Sequence, residues 1–245
     1  MTSLTVHDVS VRFGGLTAVD AASFTVESGS VTGLIGPNGA GKTTLFNVIT
    51  GLQAPSGGTV TLDDRDLRKA KPYKRARLGI ARTFQRLEAF GSLTVRENVL
   101  VAAEMRRRWS TTKYDAAEET ETILGRVGIQ HLADARAEDL PTGNARLVEV
   151  ARALAVKPSV LLLDEPSSGL DESETDVLGV LMHALAQEGL AILLVEHDMP
   201  LVMTTCNYIN VLDFGKIIAR GTPTEIQNDE HVQRAYLGSV AKAES

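Results

Sequence analysis

Three stretches of the chain are apolar almost without interruption: Val31–Ile35, Val160–Leu163 and Leu190–Val195. Runs of this kind mark parallel strands covered on both faces. The opening segment, Leu4–Val11, instead alternates apolar and polar residues, the period of a half-buried strand. Ser23–Val26 and Thr59–Leu62 look similar, and Gly57-Gly58 reads as a turn signal. A small antiparallel sheet is therefore expected beside the buried strands. Helical patterns separate the three buried runs, which predicts an α/β core.

Residues 87–140 differ in character, because no buried-strand pattern occurs among them. Thr94-Val95-Arg96-Glu97 has the form of a capping box and predicts a helix running through about Arg108. A second helix is expected over about Asp115–Val127, closed by Gly128. A third is expected over about Asn144–Val156, stopped by Lys157-Pro158. Together they predict a helical subdomain over about residues 87–156, inserted into a single domain spanning 1–245. The core and its β-subdomain then take about residues 1–86 and 157–238. Asp171–Glu188 reads as a further helix ended by Gly189, and the terminal AKAES is polar and expected to fray. The chain carries no internal repeat, heptad run or low-complexity block.

Composition narrows the class. A length of 245 residues suits one large domain or one domain with a sizeable insertion. Hydrophobic content of 43% and charged content of 23% are ordinary for a soluble globular protein. The single cysteine, Cys206, has no partner for an internal disulfide, which fits a reducing compartment. The opening MTSLTVHDVS lacks the charged-then-apolar order of a secretion signal, and the apolar runs are far too short to span a membrane. A net charge of −6 argues against a general nucleic-acid binder. Against that acidic background, residues 65–86 hold nine basic residues: Arg65, Arg68, Lys69, Lys71, Lys74, Arg75, Arg77, Arg82 and Arg86. They read as a solvated helix face, with proximity to anionic lipid headgroups as the alternative.

The chemistry is concentrated at the ends of the buried runs. Residues 36–43 read GPNGAGKT, the form G-x-x-x-x-G-K-[ST], after one apolar run and before Thr44–Thr50, which reads as the first turns of a helix. In that setting Gly36, Gly39 and Gly41 let the backbone wrap closely, and the N–H groups of Gly36–Thr44, Pro37 excepted, point inward. Lys42 adds a full charge for phosphates, and the helix adds its positive end. Thr43 supplies a hydroxyl suited to Mg²⁺. The predicted ligand is a nucleoside triphosphate, cradled by Gly36, Pro37, Asn38, Gly39, Ala40, Gly41, Lys42, Thr43 and Thr44. Asp164 ends the second run, where a carboxylate can hold Mg²⁺ directly or through water. Glu165 follows and is placed to polarise an attacking water. Glu196-His197-Asp198 follow the third run, which puts His197 at the same edge as Asp164.

Assembled, these residues resemble the nucleotide-binding subunit of an ATP-binding cassette (ABC) transporter over about residues 4–238. The resemblance implies a P-loop NTPase (RecA-like) core with a flanking antiparallel β-subdomain and an inserted α-helical subdomain, binding ATP and Mg²⁺ and hydrolysing ATP. It implies that Phe13, in VRFGG, stacks on adenine. It implies that Gln85, in RTFQR, joins the metal and the attacking water to the helical subdomain. Leu140–Arg146, LPTGNAR, stands in the place of the signature L-S-G-G-Q, so Gly143 is expected against the nucleotide of a second subunit. Ser168–Asp171 matches the loop that brings Asp171 to that interface, and His197 matches the switch histidine. One departure stands out: Pro141 replaces the signature serine and Asn144 its glutamine. The helix N-terminus and Gly143 remain, while the hydroxyl contact is lost unless Thr142 supplies it.

RFGGLTAVD, ARTFQRLEAFGSLTVRENV and a terminal RAYLG resemble the branched-chain amino acid importer type. That resemblance implies two membrane permease subunits, an external solute-binding protein, a second ATPase subunit (the same or a sister chain), no nucleic-acid partner, and a place on the cytoplasmic face of the membrane. Leu87, Phe90 and Leu93 lie where the family receives a helix of the membrane subunit; ordinary packing inside the helical subdomain is the alternative. The rival from another class is a soluble cassette ATPase, such as one for iron–sulfur cluster assembly. A P-loop kinase is a weaker rival, since it needs neither LPTGNAR nor SSGLD.

Overall fold

The computed structural model describes residues 2–85 and 87–234. In chain order the first elements are β1 (Ser3–Phe13), β2 (Leu16–Glu27), β3 (Val31–Ile35), α1 (Lys42–Thr50), β4 (Gly57–Leu62), β5 (Arg65–Asp66), α2 (Pro72–Arg77) and β6 (Ile80–Arg82). Then come α3 (Val95–Arg107), α4 (Ala116–Val127), α5 (Thr142–Ala155), β7 (Val160–Asp164), α6 (Glu172–Gln187) and β8 (Ala191–Val195). The described part closes with α7 (Met199–Thr205), β9 (Tyr208–Asp213), β10 (Lys216–Gly221) and α8 (Pro223–Gln227).

Two sheets result. The alternating strands form an antiparallel sheet in the order β2-β1-β4-β5, and the apolar runs form a second sheet in the order β10-β9-β3-β8-β7-β6. In the second sheet all neighbours are parallel except β9 and β10. Side chains alternate across a strand, so each apolar run feeds two cores. Leu161, Leu163, Ile192 and Leu194 face one core, packed with residues of α3 to α7. Val160, Leu162, Ala191 and Leu193 face the other, which holds α1 and the antiparallel sheet. That double covering is why β3, β7 and β8 read as continuous apolar runs, with every one of their residues buried.

The α/β expectation holds, and the helix ends sit where their capping residues predict. Thr94 and Glu97 bond reciprocally at the start of α3, Asp115 caps α4, and Gly128 ends α4 in the left-handed region. Three expectations need correction, and some elements were not anticipated. Gly57 and Gly58 open β4 rather than forming the turn before it. α5 starts at Thr142, two residues ahead of Asn144, so Thr142–Arg146 of the signature segment open the helix, behind Pro141 at its N-cap. β5, β6, β9, β10, α7 and α8 carry no sequence expectation at all. The basic run of residues 65–86 is not one helix face: α2 covers only Pro72–Arg77, while Arg75 and the Arg82 side chain are buried. Arg86, the AKAES tail and most of RAYLG lie outside the described residues.

Arg75 shows what burial of such a charge requires. Its guanidinium, on a residue 5% exposed, donates to the carbonyls of Val48 (2.6 Å), Ile49 (2.7 Å), Leu67 (2.8 Å) and Ala70 (2.9 Å). The first two are last-turn carbonyls of α1, where a helix end runs short of N–H partners: that of Val48 also accepts from the Gly51 N–H at 3.2 Å, and that of Ile49 is met by the guanidinium. Burial pushes the Arg75 pKa below its usual value, with Asp66 opposing the shift. Replacing Arg75 with Met strands the Ile49 and Ala70 carbonyls, whereas those of Val48 and Leu67 keep the Gly51 and Ala70 N–H groups. The expected loss is about 3 kcal/mol of folding stability, read as a lower urea midpoint at unchanged slope. A change below about 0.5 kcal/mol would show that water satisfies the acceptors.

Candidate functional site

The phosphate-type loop connects β3 to α1 and covers residues 36–41. Gly41 has φ 109°, and a Cβ there would stand 2.5 Å from the Ala18 carbonyl, so the loop can lie against β2 only with glycine at this point. The Lys42 Nζ turns back over the loop and donates to the carbonyls of Gly36 (2.6 Å) and Pro37 (3.0 Å). Burial lowers the Lys42 pKa, while the nearby carboxylates of Glu165 and Asp164 raise it. The amine is thus desolvated and sits in the field of two acids. Asn38, Gly39 and Thr43 are exposed at the loop surface, Pro37 and Thr44 half-buried, and Ala40 buried. The Ala40 carbonyl accepts from the Gly215 N–H (2.9 Å), which anchors the loop to the β9–β10 turn.

Asp164 ends β7 with 2% exposure. Its Oδ2 accepts from the Arg82 Nη2 at 2.8 Å, and its N–H donates to the Thr83 Oγ1 at 3.1 Å. Burial raises its pKa and Arg82 counters that shift. Glu165 has φ 50°, a left-handed conformation that a glutamate adopts at a cost. Its N–H donates to the Val195 carbonyl at 2.9 Å. Its side chain receives the Gln85 Nε2 at 3.3 Å, and the His197 Nδ1 lies 3.8 Å away. So Gln85, Asp164, Glu165 and His197, read separately from the sequence, meet at one sheet edge. The donors Thr43, Gln85 and Asp164 are a hydroxyl, an amide and a carboxylate: the hard-oxygen set that a phosphate-bound Mg²⁺ takes. Among the described residues no three His, Cys, Asp or Glu side chains converge as a self-sufficient metal site.

The remaining candidates are dispersed. Phe13 ends β1 with 49% exposure, beside the β1–β2 turn. Gly143 lies in the first turn of α5, where a Cβ would stand 2.6 Å from the Gly169 carbonyl; the signature helix therefore packs on the turn that follows Glu165. Pro141 occupies the N-cap of α5 with no side-chain bond to it. The Asp171 carboxylate accepts from the Glu174 N–H at 2.8 Å and caps α6. Leu87 and Phe90 are exposed and Leu93 is half-buried. An open groove of about 310 Å³ runs between α2, β6, α3 and α5, its wall built by Leu52, Phe84, Ala102, Arg152 and Val156. Leu87, Phe90 and Leu93 do not line it, although the Phe90 ring lies 4.7 Å from the Arg152 guanidinium in its wall.

Several residues of the site carried no sequence expectation. Arg146 donates to the carbonyls of Phe84 (2.6 Å) and Gln85, and it pairs with Glu149. Glu149 accepts from the Glu88 N–H at 2.6 Å, and burial pushes its pKa up. The segment around Gln85 is therefore held by α5. Glu196, 1% exposed, accepts from the Ser167 N–H (2.9 Å), the Ser167 hydroxyl (2.7 Å) and the His197 N–H (3.0 Å). It ties the turn after Glu165 to the segment after β8.

Comparison with known proteins agrees over nearly all of the chain. Residues 19–168 match the family described as ABC transporter, and residues 216–242 match that described as branched-chain amino acid ATP-binding cassette transporter. The high-affinity branched-chain amino acid transport ATP-binding protein LivG of Salmonella typhimurium is 40% identical over 250 residues, 97% of this chain and 98% of that one. The lipopolysaccharide export system ATP-binding protein LptB of Escherichia coli K12 is 38% identical over 240 residues, with 97% and 98% covered. Among solved structures, a nucleotide-free ATP-binding cassette from an ABC transporter gives a TM-score of 0.86 at 30% identity, covering 96% of this chain and 99% of that one. A cassette in its ADP conformation gives 0.86 at 31% identity, covering 97% and 99%.

Glu196 supplies a test of the site's framework. Its carboxylate serves four donors, two on each oxygen, the Asp198 N–H at 3.5 Å being the longest, and an amide in its place turns an N–H₂ toward one pair of them. Glu196→Gln is expected to cost about 2 kcal/mol of stability. The check is the urea midpoint of the purified chain; a midpoint equal to wild type would mean that the buried carboxylate is not what fastens the turn.

Proposed function

The chain belongs to the ABC transporter family, and from that membership we propose that it is the ATP-binding subunit of an importer for branched-chain amino acids or closely related small solutes. As a member of the family it binds ATP and hydrolyses it. The observation that carries the solute class is the match over residues 216–242, which comes on top of the full-length likeness to LivG. Overall identity alone does not separate import from export, because LptB stands at 38%. The likeness covers transport ATP-binding proteins end to end, so the soluble cassette ATPase is not favoured.

On this reading Phe13 stacks on adenine, the loop from Gly36 to Thr44 cradles the phosphates, and Lys42 moves from the loop carbonyls to the β- and γ-phosphates. Thr43, Asp164 and Gln85 would hold Mg²⁺, which neutralises phosphate charge during transfer. Glu165 polarises the attacking water, with Gln85 and His197 steering its carboxylate. Gly143 and Asp171 complete the site of a second ATPase subunit, identical or a sister chain. Residues 87–156 act as the helical subdomain, on a core of residues 1–86 and 157–238.

None of the described helices is long and apolar enough to cross a membrane; we assign the membrane passage itself to separate permease subunits. The subunit would then sit on the cytoplasmic face of the membrane, and an external solute-binding protein would act through the permease. The groove beside Phe84 is the proposed seat of a permease helix, with Leu52 (55% exposed) and Phe84 (40% exposed) as its apolar contacts and Phe90 at its margin.

The chemistry is tested at Glu165. Glu165→Gln keeps the shape and removes the base, so hydrolysis should fall by about 10²–10⁴-fold while ATP still binds and an ATP-bound dimer accumulates. Turnover at the wild-type rate would remove Glu165 from that role and shift attention to His197. Docking and solute class are tested together in liposomes that contain the permease subunits and their binding protein. Leucine, isoleucine or valine should raise ATP turnover, and Leu52→Asp or Phe90→Asp should abolish that rise and release the subunit from the membrane without loss of ATP binding. Stimulation by none of the three amino acids would refute the solute class; full stimulation of both aspartate variants would refute the docking surface.

A further inference from the structure

Arg82 joins three pieces of the molecule through one side chain that is 6% exposed. Its Nη2 donates to the Asp164 Oδ2 (2.8 Å), its Nη1 to the Asn47 Oδ1 on α1 (2.6 Å), and its Nε to the Thr83 carbonyl (3.1 Å). Phe46 and Phe84 flank the guanidinium, their ring centroids 5.3 Å and 5.0 Å away. Arg82 and Phe84 also line the open groove between α2, β6, α3 and α5. A single planar group therefore touches the metal-side carboxylate, the helix behind the phosphate loop and the wall of the groove.

We infer that Arg82 is a positioning residue, which fixes the orientation of Asp164 for Mg²⁺ and makes that orientation depend on what fills the groove beside Phe84. With Oδ2 held by Arg82, rotation of the carboxylate about its last bond is blocked and Oδ1 keeps one direction. A guanidinium can do this because its fork reaches two acceptors on different elements while its faces stack; an ammonium keeps the charge and loses the fork. A segment pressed into the groove displaces the Phe84 ring, and Arg82 follows its stacking partner. This second half rests on the docking reading given above, whereas the first half does not.

The test is a calorimetric Mg²⁺ titration of the full-length subunit with a non-hydrolysable ATP analogue, comparing wild type with folded Arg82→Lys and Asn47→Ala. In EDTA the Arg82→Lys chain should bind the analogue as wild type does, because its phosphate loop is untouched. Its half-saturating Mg²⁺ should rise about tenfold or more, as expected when a group that orients a metal ligand is lost. Asn47→Ala, which frees one arm of the fork and keeps the ion pair, should give a smaller rise, and it decides alone if Arg82→Lys does not fold. Superimposable Mg²⁺ titrations, or a loss of analogue binding in EDTA equal to the loss in Mg²⁺, would overturn the positioning role.

The coupling is read on the subunit co-purified with its permease. Mg²⁺ half-saturation should differ between the free and the assembled wild-type subunit, and Arg82→Lys, which leaves the apolar contacts Leu52 and Phe84 in place, should erase that difference while still co-purifying. Equal values for free and assembled wild type would overturn the coupling. Failure of wild type to co-purify would overturn the docking reading and the coupling with it, and would leave the result on the free subunit standing.

Discussion

A parallel sheet covered on both faces can present polar side chains in one kind of place, the edge at which its strands end. Here β3, β6, β7 and β8 run in the same direction, with Arg82 opposite Leu162 and Asp164 opposite Val195. The phosphate loop, the segment leading to Gln85, the Asp164–Glu165 pair and His197 are therefore delivered to one edge from four distant parts of the chain. A one-residue slip of β7 would exchange which of its apolar side chains face each core and would move Asp164 off the edge, so the fit of two packed cores keeps Asp164 where it is. What makes the site is first of all the burial of its strands.

That placement takes charges out of water, and the cost governs everything around them. Burial raises the pKa of Asp164 and Glu149 and lowers that of Lys42, one cause acting in opposite directions on acids and bases. Each buried charge is met by a partner: Arg82 for Asp164, Arg146 for Glu149, backbone carbonyls for Lys42 and Arg75. Breaking one such pair leaves the other member stranded, which costs more than the pair itself contributes. Glu196 follows the same logic with N–H and O–H donors in place of a cation. The candidate site groups are consequently tied to the scaffold through ion pairs and carbonyls rather than through packing alone.

The legible part of the fold was the part in which local pattern and tertiary role coincide. Val31–Ile35 is legible because both its faces are buried, and α3 because Thr94 and Glu97 satisfy its first turn locally. β9 and β10 were missed because Asn210 interrupts the apolar pattern of β9, and because Phe214-Gly215, which makes their tight turn, is a weak signal unless both strands are already suspected. Arg75 and Arg82 were misread for a related reason. A charge in a basic run is normally solvated, and only the fold shows that α1 leaves carbonyls for Arg75 and that β7 brings an acid to Arg82. The residues of the edge could be named from motifs, whereas Arg146, Glu149 and Glu196, which hold them, depend on partners about sixty, sixty and thirty positions away.

The altered signature segment follows from the same framework. Proline at the N-cap loses no helical hydrogen bond, since an N-cap N–H has no partner within the helix. What Pro141 gives up is the side-chain acceptor that serine would offer, and the first turn of α5 contains no acid to offset its positive end. That end is thus more open to an external anion than a serine-capped helix would be. It also abuts the Gly169 carbonyl so closely that residue 143 must be glycine, and Gly169 belongs to the turn that Glu196 fastens through Ser167. On the proposed reading, a phosphate carried by a second subunit would meet backbone N–H groups on a helix that leans directly on the segment continuing from Glu165. On that reading the segment forgoes the serine hydroxyl, unless Thr142 supplies one, and keeps the packing through which closure of a dimer would reach Glu165.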